Sequence, residues 1–148
     1  MTEPAFVPDP LLVAVRRLGT VLDRFDDAVA RQLGVHRTDL RAMHLLETGP
    51  VTAGAIAARL ELTTGTVTAL IARLVNAGLV ARTVDPVDRR VVRIELRPET
   101  WQKLASAYGP AGREVSEYSA SISTLRRNHS VTALHDVAQR LEQLLADR

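Results

Sequence analysis

Residues 63–96 read TTGTVTALIARLVNAGLVARTVDPVDRRVVRIEL, and the change of period along this stretch decides the fold. Val67, Leu70, Ile71 and Leu74 recur at the i, i+3, i+4, i+7 spacing that lays an apolar stripe along one helix face. The hydroxyl of Thr63 or Thr64 can accept from the free N–H groups of the first turn and cap the start. Gly78 stands where a left-handed residue ends a helix, and apolar Leu79 follows it, as in a Schellman-type stop. Beyond it the period falls to two. Val80, Arg82 and Val84 alternate with Ala81 and Thr83, and Val91 to Leu96 is a β-branched run broken by Arg93 and Glu95. Asp85-Pro86-Val87-Asp88-Arg89-Arg90 between the runs is turn chemistry, so the predicted hairpin carries two guanidiniums at its tip.

A helix with a nearly uncharged outer face, followed by an arginine-tipped hairpin, suits a reader of duplex DNA. Small side chains let such a helix enter a major groove roughly 12 Å wide, while the tip reaches the neighbouring minor groove. Taken alone, the charged turn is equally a solvated hairpin over a core helix. The flanking elements favour the first reading.

Upstream, Asp9-Pro10 predicts a helix start, with Asp as cap and Pro at the first helical position. Leu11, Leu12, Val15, Leu18, Val21, Leu22, Phe25, Ala28 and Val29 hold a helical stripe from there until Gly34. Thr38 is expected to cap a second helix over 39–46, with Leu40, Met43 and Leu46 inward. Gly49-Pro50 breaks the chain, and Thr52 caps a third helix whose inward pair is Ile56 and Leu60. A short turn through Glu61 and Leu62 joins it to the Thr63 helix. Two short helices so joined, the second followed by a hairpin, make a winged helix-turn-helix.

Downstream, Pro98 suits a helix start, with Glu99 and Thr100 in its first turn and Trp101, Leu104 and Tyr108 on one face. Gly109-Pro110 is expected to interrupt or kink this helix, because proline lacks the donor and clashes with the preceding turn. The pattern resumes through Val115, Tyr118, Ile122 and Leu125. Ser130 is the expected cap of a last helix carrying Val131, Leu134, Val137, Leu141, Leu144 and Leu145. The expected class is mainly α (α+β), a winged helix-turn-helix lobe over 35–97 between dimerisation helices at 1–34 and 98–148. Terminal helices this apolar suit a two-fold dimer interface; the plainer alternative is a monomeric bundle.

Bulk properties bound the function. The chain has 148 residues, 46% hydrophobic and 24% charged, enough for a core of its own. Aromatics at 3% exclude a ladder of stacking rings for single-stranded nucleic acid. The formal charge is +2 overall, yet residues 52–97 carry seven arginines against four acids, so the base excess falls on the winged stretch. With no cysteine there is no disulfide or thiolate metal site. His36, His44, His129 and His135 lack ligand spacing, so no metal or other cofactor is expected. No nucleophilic triad, glycine-rich phosphate loop or paired-carboxylate motif argues for an enzyme. MTEPAFVPDP does not read as a signal peptide, and no apolar run nears a membrane helix, which leads us to expect a cytoplasmic protein without membrane contact.

The stretch LTTGTVTALIARLVNAGLVARTVDPVDRRVVRIEL, with the helix order around it, resembles the multiple-antibiotic-resistance regulator family of transcription factors. The likeness covers a recognition helix, an "RL…GLV.R" joint and a "DP.DRR" wing in which Asp88-Arg89-Arg90 matches the family's Asp-x-Arg signature. Two positions depart from the pattern: Leu96-Arg97 replaces the family's frequent Leu-Thr, whose Thr caps the next helix, and Gly109-Pro110 falls in what is often one long helix. The resemblance implies a homodimer on a palindromic operator, commonly a repressor released by a small ligand.

On that reading Thr63, Thr64, Thr66 and Thr68, with Ala69 beside them, face phosphates or thymine edges, and Gly65 allows close backbone approach. Arg90 is assigned to the minor groove, and Arg89 to phosphate or to the same task. Arg73, late in the helix, is expected to pair with Asp88 and brace the wing. Arg59 is either a phosphate contact or a solvated charge. A small aromatic or lipophilic effector would sit among Phe25, His44, Trp101 and Tyr108. The alternative from another class is a winged helix used as a protein-interaction module without sequence-specific DNA binding.

Overall fold

Asp9 Oδ1 accepts from the amides of Leu11 (2.8 Å) and Leu12 (3.1 Å), which starts α1 (Pro10–Leu33) where the sequence predicts. Gly34, at φ 68°, ends it, and Val35 N–H reaches back to the Ala30 carbonyl at 3.0 Å. The computed structural model describes residues 8–147; residues 1–7, read above for a leader, lie outside this range. Only Val29 and Ala30 of α1 are buried. The rest of its stripe is open, with Leu11, Leu12, Leu18, Val21 and Leu22 each more than 40% exposed.

The second helix, α2 (Arg37–Leu46), begins two residues before its expected start. Its cap position is His36, whose side chain makes no capping bond, so Thr38 lies inside the helix. Arg37 explains the early start: its guanidinium lies 3.0 Å from Asp23, 2.9 Å from Asp26 and 3.4 Å from Asp27, all on α1. A two-residue strand, β1 (Val51–Thr52), follows the Gly49-Pro50 turn, and Thr52 caps α3 (Ala53–Leu60) through the Ala55 amide. Glu61 takes the left-handed conformation, φ 54°, and the chain bends by 116° into α4 (Thr64–Asn76). That bend is within the range of helix-turn-helix units.

At the end of α4, Leu79 N–H bonds to the Leu74 carbonyl (3.0 Å) and Gly78 N–H to that of Val75 (2.9 Å), the full Schellman pair. Strands β2 (Val80–Val84) and β3 (Val92–Leu96) then form the wing. The sheet order is β1-β3-β2, antiparallel throughout, with Val51 opposite Ile94 and Val80 opposite Leu96. Leu40, Met43, Leu46, Ile56, Leu70 and Leu74 are all essentially inaccessible and form the core between α2, α3 and α4. Each such side chain contributes roughly 1.5–3 kcal/mol by burial, so Leu70→Ala would cost about 2–5 kcal/mol.

No threonine caps α5 (Pro98–Ser121); the Arg97 carbonyl takes the Thr100 amide, and Thr100 Oγ1 donates to the Leu79 carbonyl at 2.7 Å. Thr100 is therefore buried, on a face shared with Leu104 and Ala107, while Trp101 is 43% exposed instead of inward. The first compact unit closes at Ala107 and a second runs from Tyr108. Gly109-Pro110 does not end α5, which stays helical past Pro110 to Ser121. Proline removes one donor and leaves the surrounding helical bonds available. The break comes later. Ser123, not Ser130, caps α6 (Thr124–Ala146) through the Arg126 amide, while the Ser130 hydroxyl donates to the Arg126 carbonyl inside the helix. No described residue of α6 is buried.

Candidate nucleic-acid interface

On the first two turns of α4 the large apolar residues all face inward, so the outer side there is built from small ones. Val67, Leu70, Ile71 and Leu74 face the core, which leaves Thr64, Gly65, Thr66, Thr68 and Ala69 exposed on the first two turns, with exposed Thr63 before them. The threonines are not equivalent. Thr63 Oγ1 caps the Thr66 amide at 3.2 Å and lies 2.8 Å from Thr66 Oγ1. Thr68 Oγ1 donates to the Thr64 carbonyl at 2.9 Å. The Thr64 hydroxyl has no such partner among the described residues, so it is the one ready to meet an outside group. A Cβ built on Gly65 meets nothing within 4 Å, so nothing in the fold itself demands glycine there.

The wing is held from within. Asp85 Oδ1 accepts from the amides of Val87 (2.8 Å) and Asp88 (3.0 Å), and its other oxygen takes the Arg93 Nε–H across the hairpin. The Asp88 amide, then the Arg93 guanidinium, then the Val87 amide hold the Asp85 carboxyl at about 2, below its ordinary 3.8. Asp88 accepts the Arg90 amide at 3.0 Å, and the Asp88 carbonyl takes the Val91 amide. Two successive Asx turns thus shape the tip, and Arg89 and Arg90 stand exposed on it.

Arg73 does not brace the wing through Asp88. Its Nη2 lies 2.6 Å from Asp39 Oδ1 and its Nε 3.2 Å from Oδ2, a forked pair between α4 and α2. The Asp39 side chain is 3% exposed and that of Arg73 45%. The hydrogen bond to Asp39 is the first cause of the raised Arg73 pKa. Arg59 and Arg82 are exposed on α3 and β2. Asp39, Asp85 and Arg93 are the positioning residues that sequence reasoning missed. The Asp-Pro-x-Asp turn carried a signal for Asp85; nothing local points to Asp39.

Phe25 and His44 are half-buried and Trp101 is exposed, all within the first unit, whereas half-buried Tyr108 opens the second. Burial lowers the His44 pKa, with Glu47 opposing and Arg37 assisting. Among the described residues no group of three or more metal-binding side chains assembles, and no single helix is long and apolar enough to cross a membrane.

The small outward face of α4, the 116° turn before it and the hairpin after it define a winged helix-turn-helix protein. The model of the MarR family matches residues 33–91, from the end of α1 through the wing tip. It is 47% identical over 89 residues to the uncharacterized HTH-type transcriptional regulator YcgE of Bacillus subtilis. That match covers 60% of this chain and 56% of YcgE. A MepR mutant from a multidrug-resistant S. aureus clinical isolate superposes with a TM-score of 0.73 at 17% identity, over 91% of this chain and 99% of the other. A second S. aureus MepR mutant, bound to oligodeoxyribonucleotide, gives 0.59 at 21% identity over 93% and 99%. At these identities the structures bear on the fold alone. A second Bacillus subtilis relative, 47% identical over 55 residues, covering 37% of this chain and 38% of that protein, is likewise named as an uncharacterized HTH-type transcriptional regulator, YsmB.

Proposed function

We propose that this chain is a sequence-specific DNA-binding transcriptional regulator, a homodimer whose protomers each read one half of a palindromic operator. The observation that carries the reading is the pairing, in the matched lobe, of an uncharged threonine-glycine face on α4 with a wing that presents Arg89 and Arg90. The α4 N-terminus adds its unsatisfied amides to the positive end of the helix dipole, which favours a phosphate there. Arg90 enters the minor groove, Arg89 rests on phosphate, and Arg73 acts through the placement of α4.

Two helices supply apolar surface for the dimer. Leu11, Leu12, Leu18, Val21 and Leu22 on α1, and Val131, Leu134, Leu141, Leu144 and Leu145 on α6, are each between 41% and 69% exposed. Faces this apolar on long helices support self-association through a two-fold axis. Repression relieved by a small aromatic or lipophilic effector belongs to the same proposal, with Phe25, His44, Trp101 and Tyr108 as the positions to vary. Such an effector acts only by favouring a geometry with the wrong half-site spacing.

Selection of bound duplexes from a random pool tests the reading. The expected product is an inverted repeat with half-site centres about 10 base pairs, or a multiple, apart. A pool that shows no enrichment overturns it.

A further inference from the structure

The far end of the wing carries an apolar surface that the fold does not use. Val84 and Val92 are register partners, so they share one face of the hairpin. At the base of that face Val80 and its partner Leu96 are buried, but Val84 is 58% and Val92 47% exposed. Val87, at the tip, is 94% exposed. Its amide satisfies Asp85, a bond that any residue except proline supplies, so the turn itself does not call for valine. Single exposed apolar residues need no explanation. Three at the end of one finger that also carries two exposed arginines do.

We propose that Val87, backed by Val84 and Val92, packs against the deoxyribose wall of the minor groove, so that the wing binds DNA by apolar contact as well as by charge. The inference rests on the DNA-binding reading above. Arg89 and Arg90 lie two and three positions beyond Val87, within about 10 Å along the chain, so any surface they touch is in its reach. Arg82, Arg89 and Arg90 make duplex DNA the occupant that complements this finger in charge. Proteins that work in the minor groove commonly add apolar contacts to their cationic ones. Valine is short enough to meet sugar carbons without holding the arginines away.

The test titrates the full-length protein against a labelled duplex carrying the pool-enriched sequence, at several salt concentrations. Val87→Ser is expected to weaken binding about tenfold, the equivalent of losing one buried valine contact. The slope of log affinity against log salt should be unchanged, because no phosphate contact is lost. Val87→Ile should bind as the parent does, and all three proteins should melt at the same temperature. If Val87→Ser binds as tightly as the parent, or weakens with a shallower salt slope, the apolar contact is refuted while the DNA-binding reading stands. If the parent itself shows no preference for the enriched duplex over a scrambled one, both fail.

Discussion

Arg73 on α4 grips both carboxylate oxygens of Asp39 on α2 through its Nε and Nη2, so α4 is pinned to α2 by a pair 34 residues apart in sequence. The two ends of the pair differ in exposure, 45% for Arg73 and 3% for Asp39. Removing the arginine strands a carboxylate away from water, whereas removing the carboxylate leaves a guanidinium that solvent can reach. Arg73→Met should therefore lower the melting temperature by several degrees, and Asp39→Asn by less. In a double-mutant cycle the paired variant should lose less than the sum of the two. Additive losses in thermal melts would show that the pair is not a strut.

Gly65 separates stability from binding. With open space around its missing Cβ, Gly65→Ala should raise stability by about 0.5 kcal/mol through the reduced entropy of the unfolded chain. If backbone approach to DNA is what the glycine serves, the same variant binds operator more weakly. Calorimetry and fluorescence anisotropy on one preparation check both signs, and an affinity equal to the parent's would remove Gly65 from the interface.

At the wing tip, Arg90→Ala should weaken operator binding by roughly 1–3 kcal/mol and reduce the salt slope by about one. Asp88→Ala should also weaken binding, although it makes the surface more basic. The reason is the lost turn on the Arg90 amide and not a contact with Arg73. Tighter binding by Asp88→Ala would mean that charge, rather than wing shape, governs affinity.

Acid should loosen the wing clasp at a defined place. The Asp85 carboxyl titrates at about 2 in the folded protein against an ordinary 3.8. A depressed folded value stabilises the protein above the unfolded value and stops doing so as pH falls through the folded one. Asp85→Asn should accordingly melt lower than the parent at neutral pH, with the gap closing between about pH 4 and pH 2. A gap independent of pH across that window would assign the loss to shape alone.

The dimer prediction is read by light scattering. Leu134→Glu with Leu141→Glu places charge on two α6 side chains, each 50% exposed in the protomer. The double variant should keep its helical content and halve its mass in solution, losing operator binding with it. A variant that stays dimeric would move the two-fold contact off this face of α6.

What the sequence determined by itself is everything held by contacts a few residues apart. The Asp9 cap, the Thr52 cap, the threonine start of α4 and the Gly78 stop are all decided between positions i and i+5, because cap geometry is local. The apolar stripe of α4 was equally legible, since one helical period selects which side chains are buried. Where two local solutions compete, the sequence could not choose. Ser123 and Ser130 each precede a plausible helix, and the break after Ser121 settled on the first. Thr38 offered a cap, but the α1 carboxylates drew Arg37 into the helix ahead of it. β1 is two residues long and exists only because Ile94 and Arg93 are brought opposite it. Tertiary structure alone paired Arg73 with Asp39 and Asp85 with Arg93. An arginine's charge names no partner, and which carboxylate it meets depends on how helices and strands distant in sequence are packed together.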